Sequence, residues 1–299
     1  MNLKQCKYVM TLSQEGSFSR AAETLNISQP SLSQYIKNIE KELDIELFER
    51  SGGFVRLTDA GNIYIEAGRK ILDIEHQMQN RLSDIAENKT GSVVIGTSPY
   101  RSASMMPMIA KAFQKVHPGM HIVVEEMTSN ELIEDAEHGK FDLCLTLMPV
   151  DKRIFSYEKI AEEEIVLAVP TSFPEMNAEK TSCRKYPAID ARELDGCSYV
   201  SITESQVMQK TLENICRDYG ISVEKAAVVK SLEAQIAMVR AGVGMALVPT
   251  GIETFCSGDE VRFYSFKQEL PRREVVAMWK KNRALSQATQ ELLEIIKNI

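Results

Sequence analysis

Residues Ser17–Leu43 read SFSRAAETLNISQPSLSQYIKNIEKEL. The spacing predicts two short helices joined by a tight turn. Ser17 is placed to cap the first helix with its hydroxyl, and Ala21 and Ala22, one turn later, let a neighbouring helix approach closely. Asn26-Ile27-Ser28 breaks the pattern: Asn tolerates turn geometry, Ile27 can plug the corner and Ser28 can cap the second helix. Pro30 falls in the first turn of that helix, where a missing N–H costs little. Along it Leu32, Ile36, Ile39 and Leu43 recur at three- and four-residue steps and share one side. Pro30, Ser33, Gln34, Lys37 and Lys41 fall on the other.

An outer face of this kind, short, polar and mildly cationic, fits the major groove of DNA with its first residues against base edges. Gln34 can bond adenine through both amide atoms, Ser33 suits either base type, and Lys37 and Lys41 suit phosphates. The competing reading of the spacing alone is a small helical bundle that packs or binds another protein.

Upstream, residues 2–14 form a first helix beneath the turn. Downstream, Asp44-Ile45 starts a turn, Leu47 and Phe48 are apolar anchors, and Ser51-Gly52-Gly53 reads as a hairpin tip before the strand Phe54 to Leu57. Arg50 and Arg56 flank this wing and can reach backbone or minor groove. Thr58-Asp59 caps a long helix from about Ala60 to Asn88, roughly 40 Å at about 1.5 Å per residue. Its seam of Tyr64, Ala67, Ile71, Ile74, Met78 and Ile85, with Leu82 just off register, calls for a partner helix. The alternative is that the seam packs on the chain's own globular part.

Residues 1–61 resemble the winged helix-turn-helix of the LysR-type transcriptional regulators. The resemblance rests on Phe18, Ala21, Ala22, Leu25, the run Ser28-Gln29-Pro30-Ser31-Leu32-Ser33, Ile36, Leu43, Leu47, Phe48, Arg50, Leu57, Thr58, Ala60 and Gly61, and it continues more weakly to the end of the chain. It implies DNA contacts from Ser28, Gln29, Pro30, Ser31, Ser33, Gln34, Lys37, Lys41, Arg50 and Arg56. It also implies a long helix that pairs two subunits, and so a homodimer or homotetramer. Double-stranded promoter DNA and RNA polymerase are the implied partners, with no membrane. Two departures stand out. Gly53 and Phe54 occupy the wing tip where many members are basic, which weakens the case for minor-groove insertion. Gln34 stands where many members carry Arg, which suggests a different base preference.

Beyond a hinge at Asn88-Lys89-Thr90-Gly91 the pattern changes to alternating strands and helices. Strands are expected at Ser92–Thr97, Met120–Met127, Phe141–Leu147, Glu164–Val169, Ser198–Ile202, Ala226–Lys230, Met245–Val248, Val261–Phe266 and Val275–Lys280, the last returning to the first lobe. Helices are expected at Met105–Val116, from Ser129 and Asn130 to His138, at Ser205–Tyr219, Leu232–Ala241 and Ala284–Ile299. Residues 172–196, rich in Pro, Ser and Glu, read as surface loop. Two α/β lobes joined by crossing strands resemble the periplasmic-binding-protein fold that serves these regulators as effector domain. The expected division is 1–59 for the DNA-binding domain, 60–88 for the linker helix and 89–299 for the effector domain, with lobe I at about 91–163 and 267–299 and lobe II at about 164–266.

Lobes of this type bind small molecules in the cleft outside the strand ends. Thr97-Ser98-Pro99-Tyr100-Arg101 follows the first strand, and backbone N–H groups with hydroxyls at a helix start favour an anion. Thr128-Ser129 repeats the arrangement, and Ser201 and Thr203 do so in the second lobe, with Leu147 and Val248 at neighbouring strand ends. Arg101 is the candidate carboxylate clamp. Plain helix capping is the alternative for each hydroxyl.

The totals agree with a globular chain of two or more domains: 299 residues, 44% hydrophobic and 26% charged. No apolar run approaches a membrane span and no signal peptide is apparent, so a cytoplasmic protein is expected. A net charge of −7 disfavours bulk nucleic-acid binding, so DNA affinity must come from local placement, with Glu40, Glu42, Asp44, Glu46 and Glu49 turned from phosphate. The six cysteines and four histidines show no metal spacing, the histidines read as surface or loop positions, and no cofactor is expected. Gly242 and Gly244 read as a helix stop, and Glu162, Glu163 and Glu164 as a solvated face. No P-loop, G-x-S-x-G or H-E-x-x-H motif is present, so no enzyme is expected.

The leading reading is a promoter-binding regulator switched by a small anionic metabolite. Its alternatives are redox sensing through Cys183–Cys197 or Cys197–Cys216, and a solute-binding protein or enzyme with an appended helical domain.

Overall fold

The computed structural model describes residues 1–51, 54–85, 91–180, 182, 184–203, 207–256 and 258–299. The N-terminal headpiece starts with α1 (Leu3–Glu15), opened by a reciprocal cap in which the Asn2 side chain accepts from the Gln5 N–H and the Gln5 side chain accepts from the Asn2 N–H. Next come α2 (Phe18–Thr24) and α3 (Gln29–Leu43). Ser17 occupies the cap position of α2 but makes no side-chain cap bond, contrary to expectation. Ser28 does cap α3, accepting from the Ser31 N–H at 3.3 Å. Leu32, Ile36 and Ile39 pack with Val9, Leu12, Ala21 and Ala22 in one core. Leu43 is 45% exposed, so the apolar side ends a turn before the helix does. Asp44, at φ 51, stops α3 there.

The wing is an antiparallel pair, β1 (Phe48–Ser51) and β2 (Phe54–Leu57). It is tied to α3 by Glu40, whose carboxylate accepts from the N–H groups of Leu47 and Phe48 at 3.0 and 3.2 Å. The expected hairpin tip at Gly52-Gly53 lies outside the described residues, as do Asn88, Lys89 and Thr90 of the expected hinge, while its last residue, Gly91, belongs to a strand. Thr58 accepts from the Gly61 N–H and starts α4 (Asp59–Ile85).

The first lobe is built on β3 (Gly91–Thr97), α5 (Pro99–Val116), β4 (Met120–Glu126), α6 (Ser129–Glu137), β5 (Leu143–Leu147) and β6 (Phe155–Glu163). The second holds β7 (Ile165–Pro170), β8 (Ala178–Glu179), β9 (Ala188–Ile189), β10 (Ser198–Ile202), α7 (Val207–Tyr219), β11 (Glu224–Val229), α8 (Leu232–Arg240), β12 (Ala246–Pro249) and β13 (Val261–Phe266). The chain then re-enters the first lobe as β14 (Arg273–Lys280) and closes with α9 (Gln287–Lys297). The first sheet runs β4-β3-β5-β14-β6, its first three strands parallel and β14 antiparallel to both neighbours. The second runs β12-β7-β13-β9-β8, and a bridge from Tyr199 to Met245 attaches the parallel pair β10–β11.

Four expectations are corrected. Helix α5 begins at Pro99 rather than Met105, because Ser98 caps it and the prolyl residue suits its first position. Strand β6 was not foreseen. It is the edge of its sheet and carries Glu158, Lys159, Glu162 and Glu163, a charge pattern that hides edge strands. Residues 172–196 are not all surface: Ala188, Ile189, Ala191 and Leu194 are fully buried, and β9 extends the sheet beside β13. His117 is buried, with its Nε2 2.8 Å from a Glu291 oxygen.

Helix α4 is joined to both ends of the molecule. Tyr64 and Ile65 belong to the headpiece core. Further along, the Asp73 carboxylate lies 3.3 Å from Arg283 of the first lobe, both nearly closed to solvent. Arg283 donates to the carbonyls of Gly139 and Phe141 and to Asp142. Gly139, at φ +76, lies so close that a side-chain carbon there would sit 2.5 Å from the Asp73 carboxylate.

Candidate nucleic-acid interface and ligand cleft

On α3 the buried Leu32, Ile36 and Ile39 fix which side faces out. Ser28, Gln29, Pro30, Ser31, Gln34, Lys37 and Lys41 are exposed and Ser33 is half-buried. The Ser28 and Ser31 hydroxyls bond each other at 2.7 Å. Gln34 donates through Nε2 to Asn38 Oδ1 at 2.9 Å, and Asn38 is an exposed member of this face that the sequence reading passed over. Its four-residue spacing from Gln34 was the available signal. Glu40 is turned inward to the wing N–H groups and Glu42 accepts from Gln5 at 3.2 Å, so both carboxylates engage protein donors. Arg56 is exposed on β2, while the side chains of Arg50 and Phe54, and Gly53 as a whole, lie outside the described residues.

The expected seam of α4 is only partly open. Tyr64 is buried in the headpiece, because α1 packs over that side of the first turns. Its hydroxyl finds no partner there, and burial pushes the phenol up to about 12. Ala67 is exposed, Ile71 half-buried, and the Ile85 side chain lies outside the described residues. Among the described residues of α4, the large apolar groups that stand in solvent are Ile63 at 70%, Ile74 at 66%, Met78 at 53% and Leu82 at 56% exposure. Ile63 was missed and Leu82 was set aside, because the heptad count was anchored on Tyr64.

At the strand ends of the two lobes the groups divide into used and unused. Thr97 is buried and donates to the Leu145 carbonyl at 3.2 Å, and Ser98 caps α5 by accepting from the Arg101 N–H. Pro99 is exposed. Tyr100 leaves its own lobe and packs in the apolar core of the second, its ring 5.9 Å from Phe255. Gly251 admits it: a side-chain carbon there would lie 2.6 Å from the phenol oxygen. Burial, together with the nearby Glu163, pushes that phenol upward.

Arg101 is 4% exposed, with Nη2 3.4 Å from Glu163 Oε2, and Arg273 approaches the same oxygen at 3.5 Å. Glu163 is therefore not part of a solvated face. It sits between two buried guanidinium groups where the chain crosses between lobes. Burial pushes Arg273 down to about 10, with Arg101 adding to the effect and Glu163 opposing it. Arg101 Nε and Arg273 Nε and Nη1 make no hydrogen bond. The carboxylate clamp expected of Arg101 is thus engaged from within the protein.

The remaining groups scatter. Thr128, not Ser129 or Asn130, is the cap residue of α6. The Glu131 carboxylate accepts from its N–H at 3.0 Å and its hydroxyl at 2.7 Å, which holds Glu131 below the usual carboxylate range. Ser129 is exposed at the first helical position and Leu147 is half-buried at the end of β5. Ser201 is buried with its hydroxyl unpartnered, and Thr203 is half-buried beside it. Val248 is fully buried inside β12 and belongs to the second-lobe core rather than to a cleft wall.

A cavity of about 400 Å³ beside the crossover is lined by Glu162, Glu164, Lys185, Thr250, Gly251, Glu253 and Arg272. Its charges pair internally, Arg272 with Glu162 at 2.7 Å and Lys185 with Glu253. Cys197 and Cys216 are free thiols, pushed up by burial and by nearby acids. Cys183 lies outside the described residues. Among the described residues, no helix is long and apolar enough to cross a membrane.

Residues 3–62 match the sequence model of the bacterial regulatory helix-turn-helix proteins of the lysR family, and residues 86–298 match that of the LysR substrate binding domain. A "Probable RuBisCO transcriptional regulator" of Chlorokybus atmophyticus is 27% identical over 252 residues, 82% of this chain and 78% of that protein. The "Uncharacterized HTH-type transcriptional regulator YcgK" of Bacillus subtilis is 27% identical over 99% of this chain and 94% of its own. Among solved structures, a full-length OxyR variant from Pseudomonas aeruginosa shares 24% identity and a TM-score of 0.68, covering 100% of this chain and 94% of that one. Full-length CbnR complexed with its target DNA shares 19% identity and a TM-score of 0.68, covering 100% and 99%. At these identities the structures show the fold.

Proposed function

The chain belongs to the LysR family of transcriptional regulators, with a helix-turn-helix and an effector-binding domain, and on that premise we propose how it acts. The exposed side of α3 reads promoter DNA in the major groove. Two copies pair along α4 as a homodimer, or as a homotetramer built from such pairs. A small anionic metabolite between the two lobes sets the spacing of the paired headpieces, and transcription by RNA polymerase responds. The site of action is the cytoplasm, where promoter DNA lies.

One observation carries the DNA reading. The core side of α3 is closed by Leu32, Ile36 and Ile39, while Gln29, Gln34 and Lys37 stand in solvent. A helix with short polar groups at its free N-terminal end can contact base edges there. The apolar row Ile63, Ile74, Met78 and Leu82 supports pairing through α4, since exposed apolar groups at helical spacing mark a contact surface. The buried N–H groups of Arg101 and Arg273 that make no hydrogen bond within the protein support an anionic effector.

The test is an electrophoretic shift series on operator DNA selected from a random duplex pool. Gln29→Ala, Ser33→Ala and Gln34→Ala are each expected to lose the sequence selectivity that the residue supplies at its own base pair. Retention of selectivity by all three would remove the reading. The metabolite-switch reading predicts that an anionic metabolite raises the melting temperature of the two-lobed domain and moves the DNA complex together. The redox reading is disfavoured by the raised Cys197 and Cys216 thiols, since the thiolate is the reactive form.

A further inference from the structure

We propose that Asn38 is a positioning residue that sets base preference: by holding one amide N–H of Gln34 it fixes how Gln34 meets a base, and so selects adenine. The inference rests on the reading of α3 as the base-contacting helix.

Gln34 and Asn38 are exposed and one helical turn apart, and Gln34 Nε2 donates to Asn38 Oδ1 at 2.9 Å. The glutamine amide has two N–H donors and one carbonyl acceptor. With one N–H held by Asn38, one N–H and Oε1 remain free. That donor and acceptor pair matches N7 and N6–H₂ of adenine in the major groove. Guanine presents two acceptors there, and cytosine a single donor, so neither satisfies both atoms.

A free glutamine on a helix surface would rotate about its terminal torsion and offer either atom to either side. The bond to Asn38 removes that freedom before DNA arrives, and pre-ordering is where such a contact gains selectivity. Lys37, exposed between Gln34 and Asn38, is left for phosphate. This arrangement departs from an arginine at position 34, which would donate to guanine O6 and N7.

The experiment uses the full-length protein and a pool of duplexes in which every operator base pair is varied singly. Wild type, Gln34→Ala, Asn38→Ala and Asn38→Asp are compared for relative affinity at each base pair, with binding to random duplex as reference. The expected result is one adenine-selective position, flattened in Gln34→Ala. In Asn38→Ala the preference for adenine falls about two- to tenfold, the worth of one hydrogen bond, while binding to random duplex is unchanged. Asn38→Asp keeps an acceptor for Gln34. It should retain the adenine preference while weakening binding to every sequence, because a negative charge is added near phosphate.

Loss of preference in Gln34→Ala with full preference in Asn38→Ala would overturn the role of Asn38 and leave base reading intact. Unchanged preference in Gln34→Ala would overturn base reading itself. Selection of guanine at the position that Gln34→Ala flattens would also overturn the proposal, since it would mean the amide is presented the other way.

Discussion

On α3 the polar side chains from Ser28 to Lys41 stand mostly in solvent, while at the lobe crossover Arg101, Glu163 and Arg273 are shut in with one another. Apart from Ser28, which caps α3, and Glu40, which holds the wing, the first set rests on a core made by other residues, so the fold depends little on its chemistry. The second set is part of the fold: two guanidinium groups share one carboxylate in a closed space, and that carboxylate offsets part of the cost of burying them. The exposed side of α3 can therefore be changed without unfolding. The crossover cannot lose a charge without a structural cost.

Removing Glu163 should give the largest effect. Glu163→Ala leaves two buried cations unpaired and is expected to destabilise the two-lobed domain by about 3–5 kcal/mol, read as a fall in its melting temperature. A normal melt would mean that the crossover is wetter than described. The matching change on α3 is Gln34→Ala. It should cost up to about 3 kcal/mol of discrimination at one base pair, yet shift stability by no more than about 0.5 kcal/mol. A stability loss comparable with that of Glu163→Ala would erase the contrast.

A smaller effect is expected of Lys37→Ala. It should weaken binding to all duplexes alike and reduce the slope of log affinity against log salt by about 1. A change confined to one sequence would move Lys37 from phosphate to base. The smallest effect belongs to Tyr64, whose phenol is raised to about 12 chiefly by burial. A raised acid is favoured in its neutral form, so its stabilisation is complete below the ordinary tyrosine value of about 10 and is lost as pH rises toward about 12. Tyr64→Phe should melt like wild type at neutral pH and show a flatter loss between those limits. An unchanged alkaline profile would mean the hydroxyl is solvated.

The same contrast explains what the sequence made legible. Helix α3, the wing and most strands carry periodic apolar residues, and the family resemblance rests on contiguous motifs within residues 1–61. Local pattern is enough there, because one face of each element is buried and the other is not. Glu163 was misread because its partner Arg101 lies 62 residues away, and no local pattern separates a buried acid from two solvated neighbours. Tyr64 was misread for a related reason: α1 covers one side of α4, and the heptad count could not show which. Ala188 was missed because a two-residue strand piece is too short for a period to appear, and Leu194 because it lies in a four-residue 3-10 turn.

The contact of Asp73 with Arg283 makes α4 a lever with a fulcrum. Asp73 lies 14 residues beyond Asp59, where the helix leaves the wing, an arm of roughly 21 Å at about 1.5 Å per residue. Tilting a rod of that length by about 10° swings its far end by roughly 4 Å, close to the spacing of about 3.4 Å between successive base pairs. On the proposed reading of α3, a tilt of α4 of that size about this contact would move the headpiece by about one base-pair step.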